Sequence, residues 1–141
     1  MDLEVMSRRD FEKYSQQNHK ITSIVVSISS VGEHRPTIAD NPDNGILGVL
    51  SLNFNDTANP DPSAYGICWV QALQIAQFIK HSKDMADKII VHCGAGQSRS
   101  AGVAAAILKY YTGDDTPIYN NPRYTPNNLC YRNVLEALMM T

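Results

Sequence analysis

Cys93 is followed by Gly94, Ala95, Gly96, Gln97 and Ser98, and then by Arg99 and Ser100. A thiol attacks as its thiolate, and with an ordinary pKa near 8.5 only about 3% is ionised at pH 7. A thousandfold gain in acidity takes about 4 kcal/mol of preference for the charged form. A nest of backbone N–H groups, a helix N-terminus and a nearby guanidinium all favour that form. The same donors cradle the equatorial oxygens of a phosphoryl group. Arg99 offers a planar fork that binds two such oxygens at once, as lysine cannot. Gly94 and Gly96 permit positive φ angles and close backbone approach. Ser100 can donate a hydrogen bond to the thiolate and so improve it as a leaving group. The chemistry these residues suit is attack by sulfur on a phosphoryl dianion.

Such a loop needs elements to hold it. Ile89, Ile90 and Val91 form an apolar run that predicts a short buried strand. After Arg99 and Ser100, Ala101 to Leu108 predicts a buried helix, closed by Lys109 to Thr112 and stopped at Gly113. A strand, a tight loop and a helix N-terminus make an anion site, because free N–H groups and the positive end of the helix dipole converge there.

With 141 residues the chain reads as one domain, residues 1–141, large enough for a single core. Its 43% hydrophobic and 18% charged content fits an ordinary globule, and a formal net charge of −2 offers no basic surface for nucleic acid or acidic lipid. No apolar run approaches a membrane span, and Met1-Asp2-Leu3-Glu4 does not open a signal peptide. Cys68, Cys93 and Cys130 are odd in number and widely spaced, which predicts a reducing, cytoplasmic setting without disulfides. Cys68 and Cys130 fall in helical patterns and read as core residues. No His/Asp/Glu cluster has metal-ligand spacing, so neither metal nor cofactor is called for.

Taken in order, Met6 to Phe11 starts a helix, with Ser7 as N-cap and Asp10 as capping-box partner. Arg8 and Arg9 read as a solvated first turn. Ile21 to Ser29 is apolar on both faces and predicts a central strand. Val31 to Gly45 is a loop in which His34 and Arg35 read as solvent-exposed. Ile46 to Phe54 predicts a second strand, and Asp56 stands just past its carboxyl end, where α/β sheets keep their functional groups. Asp61, before Pro62, is placed like a helix N-cap. Pro62 to Ser82 predicts a helix with a core stripe of Trp69, Ala72, Leu73, Ala76 and Ile79. His81, with Lys80 and Lys83, suits that helix's negative end. Asp114 to Tyr124 is a polar loop. Thr125 and Pro126 cap a last helix that buries Cys130, Val134, Ala137 and Leu138. The order predicts an α/β domain with a small, mostly parallel sheet flanked by helices.

The run His92-Cys93-x-x-Gly96-x-x-Arg99-Ser100 resembles the signature of the cysteine-dependent protein tyrosine and dual-specificity phosphatases, of the compact single-domain type. Phe54-Asn55-Asp56-Thr57 resembles their general-acid loop, and Pro126-Asn127 resembles the start of the helix behind their phosphate loop. The resemblance covers roughly Ile46 to the C-terminus, while the first 45 residues match only in element order. It implies a Cys-x5-Arg phosphate-binding loop between strand and helix, with Cys93 as nucleophile. Gly94, Ala95, Gly96, Gln97, Ser98 and Arg99 would hold the phosphate, with Ser100 on the thiolate. Asp56 falls on the family's acid, with Asp61 as the rival carboxylate. His92, facing away from the substrate, would orient the Cys93 backbone, and Asn127 would support the loop from behind.

The resemblance further implies hydrolysis of phosphotyrosine, or of phosphoserine and phosphothreonine, in a protein partner through a phosphocysteine intermediate. Three rivals use the same loop differently. A rhodanese-type sulfurtransferase also uses a loop cysteine, but Arg99-Ser100 and Asp56 argue against it. A phosphate-binding module without catalysis would not need nucleophile, arginine, hydroxyl and acid together. A phosphatase for a phosphoinositide, an inositol pyrophosphate or an RNA 5′ phosphate would favour lysines in the loop. Gly94, Ala95, Gln97 and Ser98 are neutral and fit a singly phosphorylated group.

Overall fold

The computed structural model describes residues 1–141. Strands β1 (Leu3–Ser7), β2 (Ser23–Ser29), β3 (Ile46–Asn53) and β4 (Lys88–Cys93) form one sheet in the order β1-β4-β2-β3, with every neighbouring pair parallel. Helices α1 (Arg8–Gln16), α2 (Trp69–Ser82), α3 (Arg99–Thr112), α4 (Thr116–Tyr119) and α5 (Asn128–Met140) complete the fold. Side chains alternate across each strand. Ile24, Val26, Ile28, Ile89, Val91 and Cys93 enter the main core against α2, α3 and α5. Val25, Ile90 and Met6 face the other way and pack on Phe11 of α1. β2 is buried along its whole length, as expected of a central strand. One consequence bears on chemistry: Cys93 and His92 lie on opposite faces of the sheet.

The N-terminal strand is the element that sequence patterning misses. Leu3–Ser7 is too short for a clear alternation, yet it pairs with β4 from Leu3↔Ile89 to Ser7↔Cys93. Ser7 ends it and caps α1, accepting a hydrogen bond from the Asp10 backbone at 3.1 Å. The helix expected from Pro62 is interrupted. Pro62–Ala64 is a 3-10 turn, Tyr65 turns left-handed at φ 54°, and α2 starts only at Trp69. Trp69 and Cys68 therefore sit at an exposed helix start and not in the core stripe, which is filled by Ala72, Ile75, Ala76 and Ile79. Within the expected loop 114–124, Thr116–Tyr119 forms the short α4. The last helix takes Asn127 as its N-cap in place of Thr125, with its side chain accepting from the Cys130 backbone.

α3 is buried on nearly every side, which its run of alanines allows. Gly102 lets α5 come close: a Cβ there would stand 2.5 Å from the Asn127 carbonyl oxygen and 3.0 Å from Cys130 Cβ. Gly113 ends α3 in the left-handed conformation at φ 76°. No helix is long and apolar enough to cross a membrane.

Candidate active site

β4 ends at Cys93 and α3 begins at Arg99, so Gly94–Ser98 bridges the carboxyl end of the sheet to a helix N-terminus. Backbone contacts fix this loop from two sides. On one, the Arg8 N–H donates to the Gly94 carbonyl at 3.1 Å. Gly96, at φ 69°, packs where a Cβ would stand 2.7 Å from Met6 C and Ser7 N, so β1 leaves room for glycine alone. On the other, the Thr125 N–H donates to Gln97 O at 2.9 Å and the Asn127 N–H to Ser98 O at 3.0 Å. Gly94 departs from expectation, since its φ is not positive and its missing Cβ would make only an ordinary 3.5 Å contact with Arg99 Nη2.

Cys93 Sγ lies 3.0 Å from Ser100 Oγ. Burial by itself would raise the thiol's pKa. The Ser100 hydroxyl, the backbones of Ser100 and Gly96, and the Arg99 charge together outweigh burial and bring it below the ordinary value. Cys130, by contrast, is held as a thiol by burial, and by the negative charge of Asp56 beside it. Arg99 is 7% exposed. Its Nη1 donates to the Phe54 carbonyl at 2.8 Å and to Ser30 Oγ at 3.0 Å, an anchor at one corner that leaves the rest of the planar fork over the loop.

Asp56 sits just beyond β3, and its carboxylate reaches the Gly94–Ser98 loop. Oδ1 accepts from Ser98 Oγ at 2.8 Å and from Asn127 Nδ2 at 2.8 Å. Asn127 also donates to the Thr57 carbonyl at 3.1 Å. Asp61 behaves as a cap: its carboxylate accepts from Ser63 N at 2.9 Å and Ser63 Oγ at 2.8 Å, and those bonds lower its pKa. The geometry brings together Cys93, Arg99, Ser100, Asp56, Ser98 and Asn127, and leaves Asp61 at its turn. His34 and Arg35 stay exposed, while the His34 carbonyl accepts from Arg8 Nη1 at 2.7 Å.

His92 is fully buried on the α1 side of β4. Its ring stacks on Phe11, with centroids 4.5 Å apart and planes 12° apart, and Nε2 lies 2.7 Å from Ser27 Oγ. Burial brings its pKa down to about 4, aided by the charges of Arg8 and Arg99 and opposed by the Cys93 backbone and Glu12. That backbone lies near the ring but outside hydrogen-bond geometry, so Nδ1 has no bonded partner. The imidazole is neutral at pH 7.

Ser27, Ser30 and Phe11 support the site, yet none belongs to a recognisable motif. The available signal was hydroxyl groups in and just after an otherwise apolar strand, which must find partners when buried. No His, Cys, Asp and Glu side chains gather in threes that could hold a metal ion.

Comparison with known proteins extends this geometry. The family model of the Rit1 DUSP-like domain matches residues 70–135, just under half of the chain. No curated protein matches the sequence significantly. Among solved structures, human DUSP28 aligns over 98% of this chain and 92% of its own, at 17% identity and a TM-score of 0.63. Tk-PTP in its active form aligns over 98% and 90%, at 19% identity and a TM-score of 0.61. PTPMT1 in complex with PI(5)P aligns over 85% and 78%, at 15% identity and a TM-score of 0.55. These likenesses, over most of each chain, give this chain the fold of the cysteine-dependent dual-specificity phosphatases.

Proposed function

We propose that this protein is a cysteine-dependent phosphatase that removes phosphate from phosphotyrosine, and also from phosphoserine or phosphothreonine, in a protein partner. The observation that carries the reading is the thiol of Cys93, with its depressed pKa, held 3.0 Å from Ser100 Oγ at the head of α3, with Arg99 anchored beside it and Asp56 bonded across the loop.

In the first step the Cys93 thiolate attacks phosphorus in line. The phosphorus–oxygen bond to the leaving group breaks with its electron pair, and protonated Asp56 gives that oxygen its proton. Arg99 and the loop N–H groups hold the three equatorial oxygens as charge redistributes. In the second step water attacks the phosphocysteine. Asp56 takes the water's proton, phosphate departs, and the Ser100 hydroxyl stabilises the sulfur as it leaves as thiolate.

A second reading keeps the mechanism and changes the carrier. PTPMT1, which shares the fold, was solved in complex with PI(5)P, and this supports a phosphoinositide as the alternative carrier. The neutral loop residues Gly94, Ala95, Gln97 and Ser98 favour a carrier with one phosphate over a polyanion. A panel of matched phosphotyrosine, phosphoserine and phosphothreonine peptides, run beside PI(5)P in mixed micelles with Cys93→Ser as control, tests both. Release of phosphate from the peptides alone supports the protein reading. Release from PI(5)P alone supports the second. No release from any overturns the assignment as a phosphatase.

A further inference from the structure

Asp56 is itself exposed, yet its carboxylate is held by two side chains from elsewhere in the fold. Both of its donors reach the same oxygen, Oδ1, each at 2.8 Å. One donor, Ser98, belongs to the phosphate loop, and its carbonyl in turn accepts from the Asn127 N–H. The other, Asn127, is 6% exposed and has every polar atom of its side chain in use: Nδ2 to Asp56 and the Thr57 carbonyl, Oδ1 to the Cys130 N–H. Three segments distant in sequence, the acid loop, the phosphate loop and the start of α5, thus meet at one carboxylate oxygen. A carboxylic acid has one proton to place. An oxygen that already accepts two hydrogen bonds is the poorer place for it.

Resting on the phosphatase reading above, we infer that Ser98 and Asn127 are positioning residues: they clamp Oδ1 of Asp56 so that Oδ2 is the oxygen that carries the proton to the leaving group. Asp56 Oδ2–H gives its proton to the departing oxygen as the phosphorus–oxygen bond breaks, and Oδ2 takes a proton from water in the second step. Neither Ser98 Oγ nor Asn127 Nδ2 exchanges a proton in either step. The division of labour is specific. Ser100, two residues from Ser98 in the sequence, serves the sulfur, and Ser98 serves the acid.

A clamp on the acid has a kinetic signature that a merely structural role lacks. Proton donation matters for a poor leaving group and hardly at all for an activated one. Wild type, Ser98→Ala, Ser98→Thr, Asn127→Ala, Asp56→Asn and the double variant Ser98→Ala/Asp56→Asn are assayed by kcat/KM on phenyl phosphate and on an aryl phosphate with a low-pKa leaving group. Thermal unfolding of each shows whether it is folded. Ser98→Ala and Asn127→Ala should each lose at least about tenfold more on phenyl phosphate than on the activated ester, part of the 10²–10⁴ that a general acid contributes. Ser98→Thr, which keeps the hydroxyl, should restore most of the difference. In the Asp56→Asn background, Ser98→Ala should change the ratio of the two rates no further. Equal losses on both substrates, or additive losses in the double variant, overturn the clamp while leaving the phosphatase reading intact. Wild type that turns over neither substrate overturns both.

Discussion

Replacing Arg99 with lysine keeps the charge and removes the fork, and the structure shows why that is not conservative. Arg99 performs two tasks from one plane. Nη1 is committed to the Phe54 carbonyl at 2.8 Å and Ser30 Oγ at 3.0 Å, while Nη2 lies over the loop, 3.5 Å from the position a Gly94 Cβ would take. A lysine ammonium can take the anchor or meet the phosphate, but it has no rigid plane that does both. If it takes the anchor, the transition state loses an oriented donor, which costs about 10²–10³ in rate, or roughly 2.7–4 kcal/mol. If it meets the phosphate, the buried Phe54 carbonyl is left without a partner, which costs about 1–3 kcal/mol of stability. The rate on an aryl phosphate, as kcat/KM, should fall by about two orders of magnitude when the anchor is taken, and by less when the ammonium meets the phosphate as a single point charge. Vanadate inhibition should weaken in parallel when the anchor is taken, and the unfolding temperature should drop when it is not. The assay therefore reads three quantities on one variant: rate, vanadate affinity and thermal midpoint. A variant that keeps its rate to within about threefold, with unchanged vanadate affinity, would show that Arg99 holds the loop and not the phosphate.

Asp56→Asn should slow hydrolysis of a phosphotyrosine peptide by roughly 10²–10⁴ and largely spare an activated aryl phosphate, whereas Asp61→Asn should do neither, because asparagine caps about as well as aspartate; kcat/KM on the two substrates checks this. Gly96→Ala should abolish activity and destabilise the fold, since it combines a left-handed backbone with a Cβ 2.7 Å from the backbone of β1, and thermal unfolding with phosphate binding measures both effects. His92 favours its neutral form in the folded state, its pKa falling from 6.5 to about 4, so its contribution to stability is fully present above pH 6.5 and is lost as pH falls from 6.5 toward 4. The linked change is about 3 kcal/mol, and denaturant titrations at several pH values should show it shrink in His92→Gln.

The loop from Cys93 to Ser100 was legible because the chemistry proposed for it needs fixed residue types at fixed spacing. Cys93, Gly96, Arg99 and Ser100 can be read from one short run, and Gly113 marks the end of α3. The sheet was legible where strands are buried on both faces, as β2 is, and illegible where a strand is short and half-exposed. β1 gives only Leu3–Ser7, and its placement is decided by pairing with β4, a contact no local pattern records. The stretch before α2 misled because Asp61-Pro62 has the form of a helix start, while Tyr65, left-handed at φ 54°, ends that turn and leaves Trp69 and Cys68 at an exposed helix start. The roles of Ser27, Ser30 and Phe11 depend on which strands become neighbours. Ser27 lies opposite His92 in the pairing of β2 with β4, a register fixed by the whole sheet. In sequence Asp56 reads as the acid and Asp61, before Pro62, as a cap, the two rivals standing five positions apart. The structure separates them by partner, giving Asp56 two donors from across the fold and Asp61 only its own turn.

The central claim is that Cys93 carries the phosphoryl group between the two steps. Wild-type protein mixed with a phosphotyrosine peptide, quenched in acid within milliseconds, digested and mapped by mass spectrometry tests it directly. The mechanism predicts a phosphoryl group on the peptide containing Cys93, absent in Cys93→Ser; with an activated aryl phosphate as substrate the label should increase in Asp56→Asn, whose first step is then spared while its second lacks a base for water. Turnover by wild type with no label on Cys93, or a phosphoryl group carried on another residue, would contradict it.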